Sequence, residues 1–139
     1  MAAVLDANLL VALAVDDARA PAVVALLQRW LAAGEELHAP ELLPYEVASG
    51  LTRLAAAGAF PQERLAEAWR TLLAVPINYH SLREGGDRAI AVALRLGRQS
   101  AYDAAYLVLA EGLGAELWTF DGSLARNAAS LGFPVHLAG

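Results

Sequence analysis

Four carboxylates carry the possible chemistry of this sequence: Asp6 in "VLDANLL", Glu46 in "YEVASGL", Asp103 in "SAYDAAYLVLA" and Asp121 in "WTFDGSL". Taken singly, each has an ordinary structural use. Asp6 and Asp121 suit the N-cap of a helix that follows a strand. Glu46 falls at the border of an apolar helical face made by Leu43, Val47, Leu51 and Leu54. Ser100 followed by Asp103 matches a capping pattern before an apolar run, and a negative charge there suits the helix dipole. Taken together, they describe a different object. Carboxylates brought to one end of a sheet would repel by ~4 kcal/mol per pair at about 4 Å and an effective dielectric near 20. Such a cluster either takes up protons or gathers a cation. Oxygen-only ligands suit Mg²⁺ or Mn²⁺ rather than Zn²⁺. Asn8 is either a turn residue or a hydrogen-bonding support for Asp6, and Thr119 reads as a strand residue.

For these acids to meet, the elements that carry them must alternate. Residues 2–5 read as a short buried strand ending at Asp6, and "NLLVALAV" as a helix; Asp16 and Asp17 fall in a turn. A helix is expected over about 21–33, with Pro21 in its first turn and Gly34 at its end. "ELHAP" reads as a second strand. Helices follow over about 41–57, ended by Gly58, and 61–74; "PINYH" is a third strand. Residues 84–96 form a helix closed by Gly97, and 100–112 another, apolar on nearly every side. "ELWTF" runs into Asp121, a helix spans 122–130, and "FPVHL" is a fifth strand. Alternation of this kind implies an α/β fold with a mostly parallel sheet, best read as a three-layer α/β/α sandwich. Ligands of such sheets bind beyond the carboxyl ends of the strands, where the strand order reverses. Asp6 and Asp121 both stand at strand carboxyl ends.

Composition narrows the chemistry. The 139 residues are 58% hydrophobic, enough for one domain with a substantial core, and the apolar excess points to surface covered by a second copy. The longest uncharged stretch, 127–139, is too short and too polar for the ~20 apolar residues of a membrane span. The N-terminus lacks a basic region and Asp6 interrupts its apolar stretch, so no signal peptide is expected, and a cytoplasmic location follows as the default. There is no cysteine, which removes thiolate metal sites and thiol nucleophiles. The net charge of −5 argues against a protein that coats nucleic acid, though not against an enzyme whose acidic site a metal neutralises.

All ten basic residues are arginine. Receiver domains and haloacid-dehalogenase-like phosphatases also place carboxylates at strand ends, but both use a lysine on phosphate, and "DAN" lacks the second Asp of the dehalogenase pattern. The same absence excludes a P-loop, and no Gly-x-Gly-x-x-Gly follows the first strand. His38, His80 and His136 show no metal-ligand spacing and read as strand or strand-end residues. Arg53, Arg88, Arg98 and Arg126 are candidates for phosphate contact, with surface solvation the default for any one of them.

The four segments, in this order, resemble the motifs of the PIN-domain family of ribonucleases, and more closely its small VapC-type toxins. "SAYDAAYLVLA" is the most specific match, and the likeness covers essentially the whole chain. It implies a single PIN-like domain over residues 1–139, with a five-stranded parallel sheet ordered 3-2-1-4-5. It implies that Asp6, Glu46, Asp103 and Asp121 bind metal, with Asn8 and Thr119 as supporting polar groups. The implied activity is Mg²⁺- or Mn²⁺-dependent endonucleolytic cleavage of RNA by a metal-activated water, with no protein nucleophile. The implied partners are the RNA substrate, a second copy and a small antitoxin whose tail blocks the site. The alternative is a PIN-like RNA-binding or interaction module with little or no catalysis.

Overall fold

A computed structural model describes residues 2–139. Five short strands form one parallel sheet: β1 (Ala2–Leu5), β2 (Glu36–Pro40), β3 (Ile77–His80), β4 (Glu116–Thr119) and β5 (Val135–Leu137). Their order is β3-β2-β1-β4-β5, the order the resemblance implies. The first three strands wind outward from β1, and the chain then returns across the sheet to place β4 on the other side of β1. The strand order therefore reverses between β1 and β4, which pair in register from Ala3 with Glu116 to Leu5 with Trp118.

The central position of β1 explains its composition. A parallel strand covered on both faces must be apolar at every residue, and Ala3, Val4 and Leu5 are all buried. On one side, α1 (Ala7–Val15) packs against α2 (Ala20–Ala32), α3 (Leu43–Ala56) and α4 (Leu65–Ala74). On the other, α6 (Tyr102–Leu113) covers β1, β2 and β4 and is itself covered by α5 (Gly86–Arg95); α7 (Gly122–Ser130) packs on β5. Leu9 and Leu10 are fully buried and Leu13 packs at the edge of the core, so α1 is an internal helix. Gly50 lets α3 approach it closely: a Cβ there would stand 3.0 Å from Val11 Cγ2.

Most element boundaries lie within two residues of expectation, the differences mostly by trimming. The helix expected over 61–74 opens instead with a 3₁₀ turn, Gln62–Arg64. The expected Ser100 cap does not form: α6 begins at Tyr102, its N-cap position is Ala101, and no side chain caps it. Asp103 is consequently the second residue of the helix.

Leu117, on β4 beneath α6, is fully buried. Leu117→Ala is expected to cost about 2–5 kcal/mol of unfolding free energy by urea denaturation, the usual range for emptying a closed leucine site. A loss below about 1 kcal/mol would mean that the β4–α6 layer is less tightly packed than this.

Candidate active site

The strand order brings the four acids to one end of the sheet. Asp6, Asn8, Glu46, Asp103 and Asp121 line a single cleft of about 600 Å³, together with Arg19 and Arg53. Each acid reaches it from a different element: the β1–α1 junction, α3, the first turn of α6, and the β4–α7 junction.

Asp6 occupies the N-cap position of α1, yet its side chain makes no capping bond. It is turned across the β1–β4 boundary instead. The Thr119 hydroxyl donates to Asp6 Oδ2 at 2.8 Å, and Asn8 Nδ2 approaches the same oxygen at 3.3 Å. Thr119 is fully buried. Its Oγ1 also accepts from Asn8 Nδ2 at 3.2 Å and from the Asp121 backbone N–H at 3.0 Å, so its one donor and both acceptor sites are used. The Phe120 N–H donates to Asn8 Oδ1 at 3.2 Å, which fixes the orientation of that amide. Asp121, by contrast, does cap its helix: Oδ1 accepts from the Leu124 N–H at 3.0 Å. That leaves its other oxygen free of the capping duty.

Glu46 is held by a residue that sequence reasoning missed. The hydroxyl of buried Tyr106 donates to Glu46 Oε1 at 2.7 Å. Burial and the nearby carboxylates raise the Tyr106 pKa, keeping it a donor. Its signal was its position three residues after Asp103, on the same face of one helix. Arg19 was also not singled out. Among the arginines that were, Arg53 lines the cleft, Arg98 Nη1 lies 3.7 Å from Asp103 Oδ2, and Arg88 is paired with Glu111. His38 and His80 sit on strands, as expected, but their rings meet, with Nδ1 and Nε2 at 2.8 Å.

The electrostatics are those of an incompletely compensated acidic cluster. Burial raises the Asp6 carboxyl to a pKa of about 7; Glu46 and Asp103 add to this, and the Thr119 bond only partly opposes it. Glu46 is raised by burial and by Asp103, with the Tyr106 bond and Arg53 opposing. Asp103 is raised by burial and by Asp121, with Arg98 opposing. Among the described residues, no cation stands within ion-pair distance of Asp6, Glu46 or Asp121. As placed, no three of the described His, Asp or Glu side chains close on a single ion position. The donor chemistry nevertheless fits a hard divalent cation: all oxygens, more negative charge than the chain neutralises, and space for water. Mg²⁺ commonly retains several waters and touches only one or two carboxylates.

A carboxyl with a raised pKa holds its proton more tightly when folded than when unfolded. Stability therefore falls as pH rises from the ordinary aspartate value near 4 to about 7, and levels off above. Thermal melts of the metal-free protein are expected to show this decline, and Asp6→Asn is expected to flatten most of it. A melting temperature that rises with pH across this window would contradict the assignment.

Comparison with known proteins identifies the family and the fold. The family model described as "PIN domain" matches residues 3–130. The chain is 35% identical over 138 residues to Ribonuclease VapC3 of Pyrobaculum aerophilum, covering 96% of this chain and all of that one. It is 37% identical over 121 residues to Ribonuclease VapC9 of Mycobacterium tuberculosis, covering 85% and 84%. The fold is similar to the crystal structure of PAE2754 from Pyrobaculum aerophilum, with a TM-score of 0.67 and 25% identity, covering 91% of this chain and 79% of that one. The buried strand ending in Asp6, the acid of α3, the acid of α6 and the Asp121 cap thus lie within the matched region, and the chain belongs to the PIN-domain family, in its VapC-type branch.

Proposed function

We propose that this protein is an endoribonuclease that hydrolyses RNA phosphodiesters with the help of Mg²⁺ or Mn²⁺, and that it serves as the toxin of a type II toxin–antitoxin pair in the cytoplasm. The observation that carries the reading is the convergence of Asp6, Glu46, Asp103 and Asp121 on one cleft while their charge stays unmatched. The names of the relatives supply the substrate class. The chain is proposed to act as one PIN unit, and none of its described helices is long and apolar enough to cross a membrane.

Asp6, Glu46, Asp103 and Asp121 are the residues proposed to hold the ion. When bound, the ion supplies Lewis acidity for water activation and for neutralising charge on the scissile phosphate. The chain supplies position. Thr119 and Asn8 fix the direction of Asp6, Tyr106 fixes Glu46, and the α7 cap fixes Asp121. Such supporting bonds keep ligands oriented, and losing one commonly costs 10–100-fold in metal affinity or activity. Arg53 lies on the cleft wall, where a guanidinium can meet an RNA phosphate. A partner surface is supported by the large exposed apolar side chains Tyr45, Leu94 and Tyr102. Its proposed occupants are a second copy and the antitoxin.

RNA-end sequencing after induced expression is expected to reveal defined new 5′ ends, lost with chelation in the purified system. Asp6→Asn and Asp103→Asn are each expected to lower cleavage by about 100-fold or more. Mn²⁺ is expected to raise the melting temperature of the parent at pH 7 and not that of Asp6→Asn. Cleavage that survives EDTA and both substitutions would overturn the metal mechanism. Sedimentation velocity is expected to find a dimer, and a monomer at every concentration would remove that part of the reading.

A further inference from the structure

Cations and aromatic rings are paired along the face of β4 that leads away from the acidic cleft. Arg19, which lines the cleft and pairs with Asp17 at 2.8 Å, places its guanidinium 4.8 Å over the Phe120 ring. Phe120 follows the end of the strand, and Trp118, on β4, lies two residues earlier in the chain. The Arg29 guanidinium stands 5.3 Å over its ring, and His136 of β5 stacks on it with centroids 4.7 Å apart and planes at 24°. Trp30 packs edge-on at 5.5 Å and holds the indole in place.

Three features set this strip apart from ordinary packing. Arg29 is exposed and has no carboxylate within ion-pair distance among the described residues. His136 lies on the edge strand with 47% of its side chain exposed, and Glu116 pins its Nε2 at 2.8 Å, so the ring is held with one face on Trp118. The strip also joins the cleft directly, through Arg19 and Phe120. Along the strip, Asp17 pairs with Arg19 at 2.8 Å and Glu116 with His136 at 2.8 Å, so among the described residues Arg29 is its cation without a carboxylate partner. Proteins that bind single-stranded nucleic acid combine these elements: cations along the backbone path and rings on which unpaired bases stack.

We infer that Arg19, Arg29, Phe120, Trp118 and His136 form a subsite for the single-stranded RNA that flanks the scissile phosphate. An unpaired base continues the Trp118–His136 stack on the exposed side of His136, Arg29 meets an adjoining phosphate, and Arg19, held by Asp17, marks the cleft end of the path. This subsite rests on the ribonuclease reading above and adds to it the residues, outside the acidic cleft, that would hold the unpaired strand.

The test is fluorescence anisotropy with labelled short single-stranded RNAs of mixed sequence, in EDTA so that the RNA stays intact, beside an RNA hairpin stem. His136→Ala and Arg29→Ala are each expected to weaken single-strand binding roughly ten-fold. His136→Phe, which restores a stacking surface, is expected to recover most of the loss, and all three variants are expected to melt near the parent temperature. Parent-like binding and cleavage by both alanine variants would overturn the subsite and leave the ribonuclease reading intact. Equal affinity of the parent for the stem would also overturn it, because a paired base has no free face to offer. A parent that neither binds nor cleaves RNA would remove both readings.

Discussion

A 2.8 Å hydrogen bond from a buried threonine to an aspartate organises this molecule's functional end. Thr119 ends β4 and Asp6 follows β1, and the two strands are neighbours only because the sheet reverses its order between them. The Thr119 oxygen then binds three partners: the Asp6 carboxylate, the Asn8 amide and the Asp121 backbone. One hydroxyl thereby fixes the relative position of two of the four acids and ties α1 and α7 to the same point. Its complete burial removes competition from water, which strengthens each of these bonds.

The arrangement works against folding stability. Desolvation drives the Asp6 carboxyl to a pKa of about 7, against the pull of the Thr119 bond, and Glu46 and Asp103 are raised in the same sense. A site built for stability alone would pair these groups with arginines, of which the chain has ten. Among the described residues, Arg98 alone comes within ion-pair distance of an acid of the cluster, at 3.7 Å from Asp103, and its buried Nη2 finds no partner, while Arg53 opposes the Glu46 charge from farther away. The unmatched charge is held in place by the apolar body of the fold. The buried strand β1 and the packed helices α1 and α6 keep the acids from moving apart. Local conflict of this kind, supported by consistent packing elsewhere, is the usual form of a functional site.

Several structural and functional uses of one residue turned out to be separable, and the residues divide differently from what their local patterns suggest. Asp121 caps α7 and faces the cleft at once, because a carboxylate has two oxygens. Asp6 stands at a cap position and caps nothing, since Thr119 and Asn8 take its side chain. Asp103 was expected to share a capping box with Ser100, but α6 starts two residues later than Ser100 and has no side-chain cap. Cap patterns depend on the register of a helix start by a single residue, and short-range sequence does not determine that register.

The sequence by itself determined the alternation of strands and helices, the apolar character of β1 and α6, the parallel sheet, and the four acids with Asn8 and Thr119. The alternation, the apolar character and the parallel sheet follow from local periodicity and turn chemistry, whereas the grouping of the four acids with Asn8 and Thr119 was implied by the resemblance of four segments to the PIN motifs. The tertiary structure decided which groups touch. Tyr106 holds Glu46 across 60 positions of chain, and His38 meets His80 across 42. The Trp118–His136 stack exists only because β4 and β5 lie in register. Such contacts depend on strand order and on the orientation of helices against the sheet, which long-range packing of the whole core sets. No window of neighbouring residues contains that information.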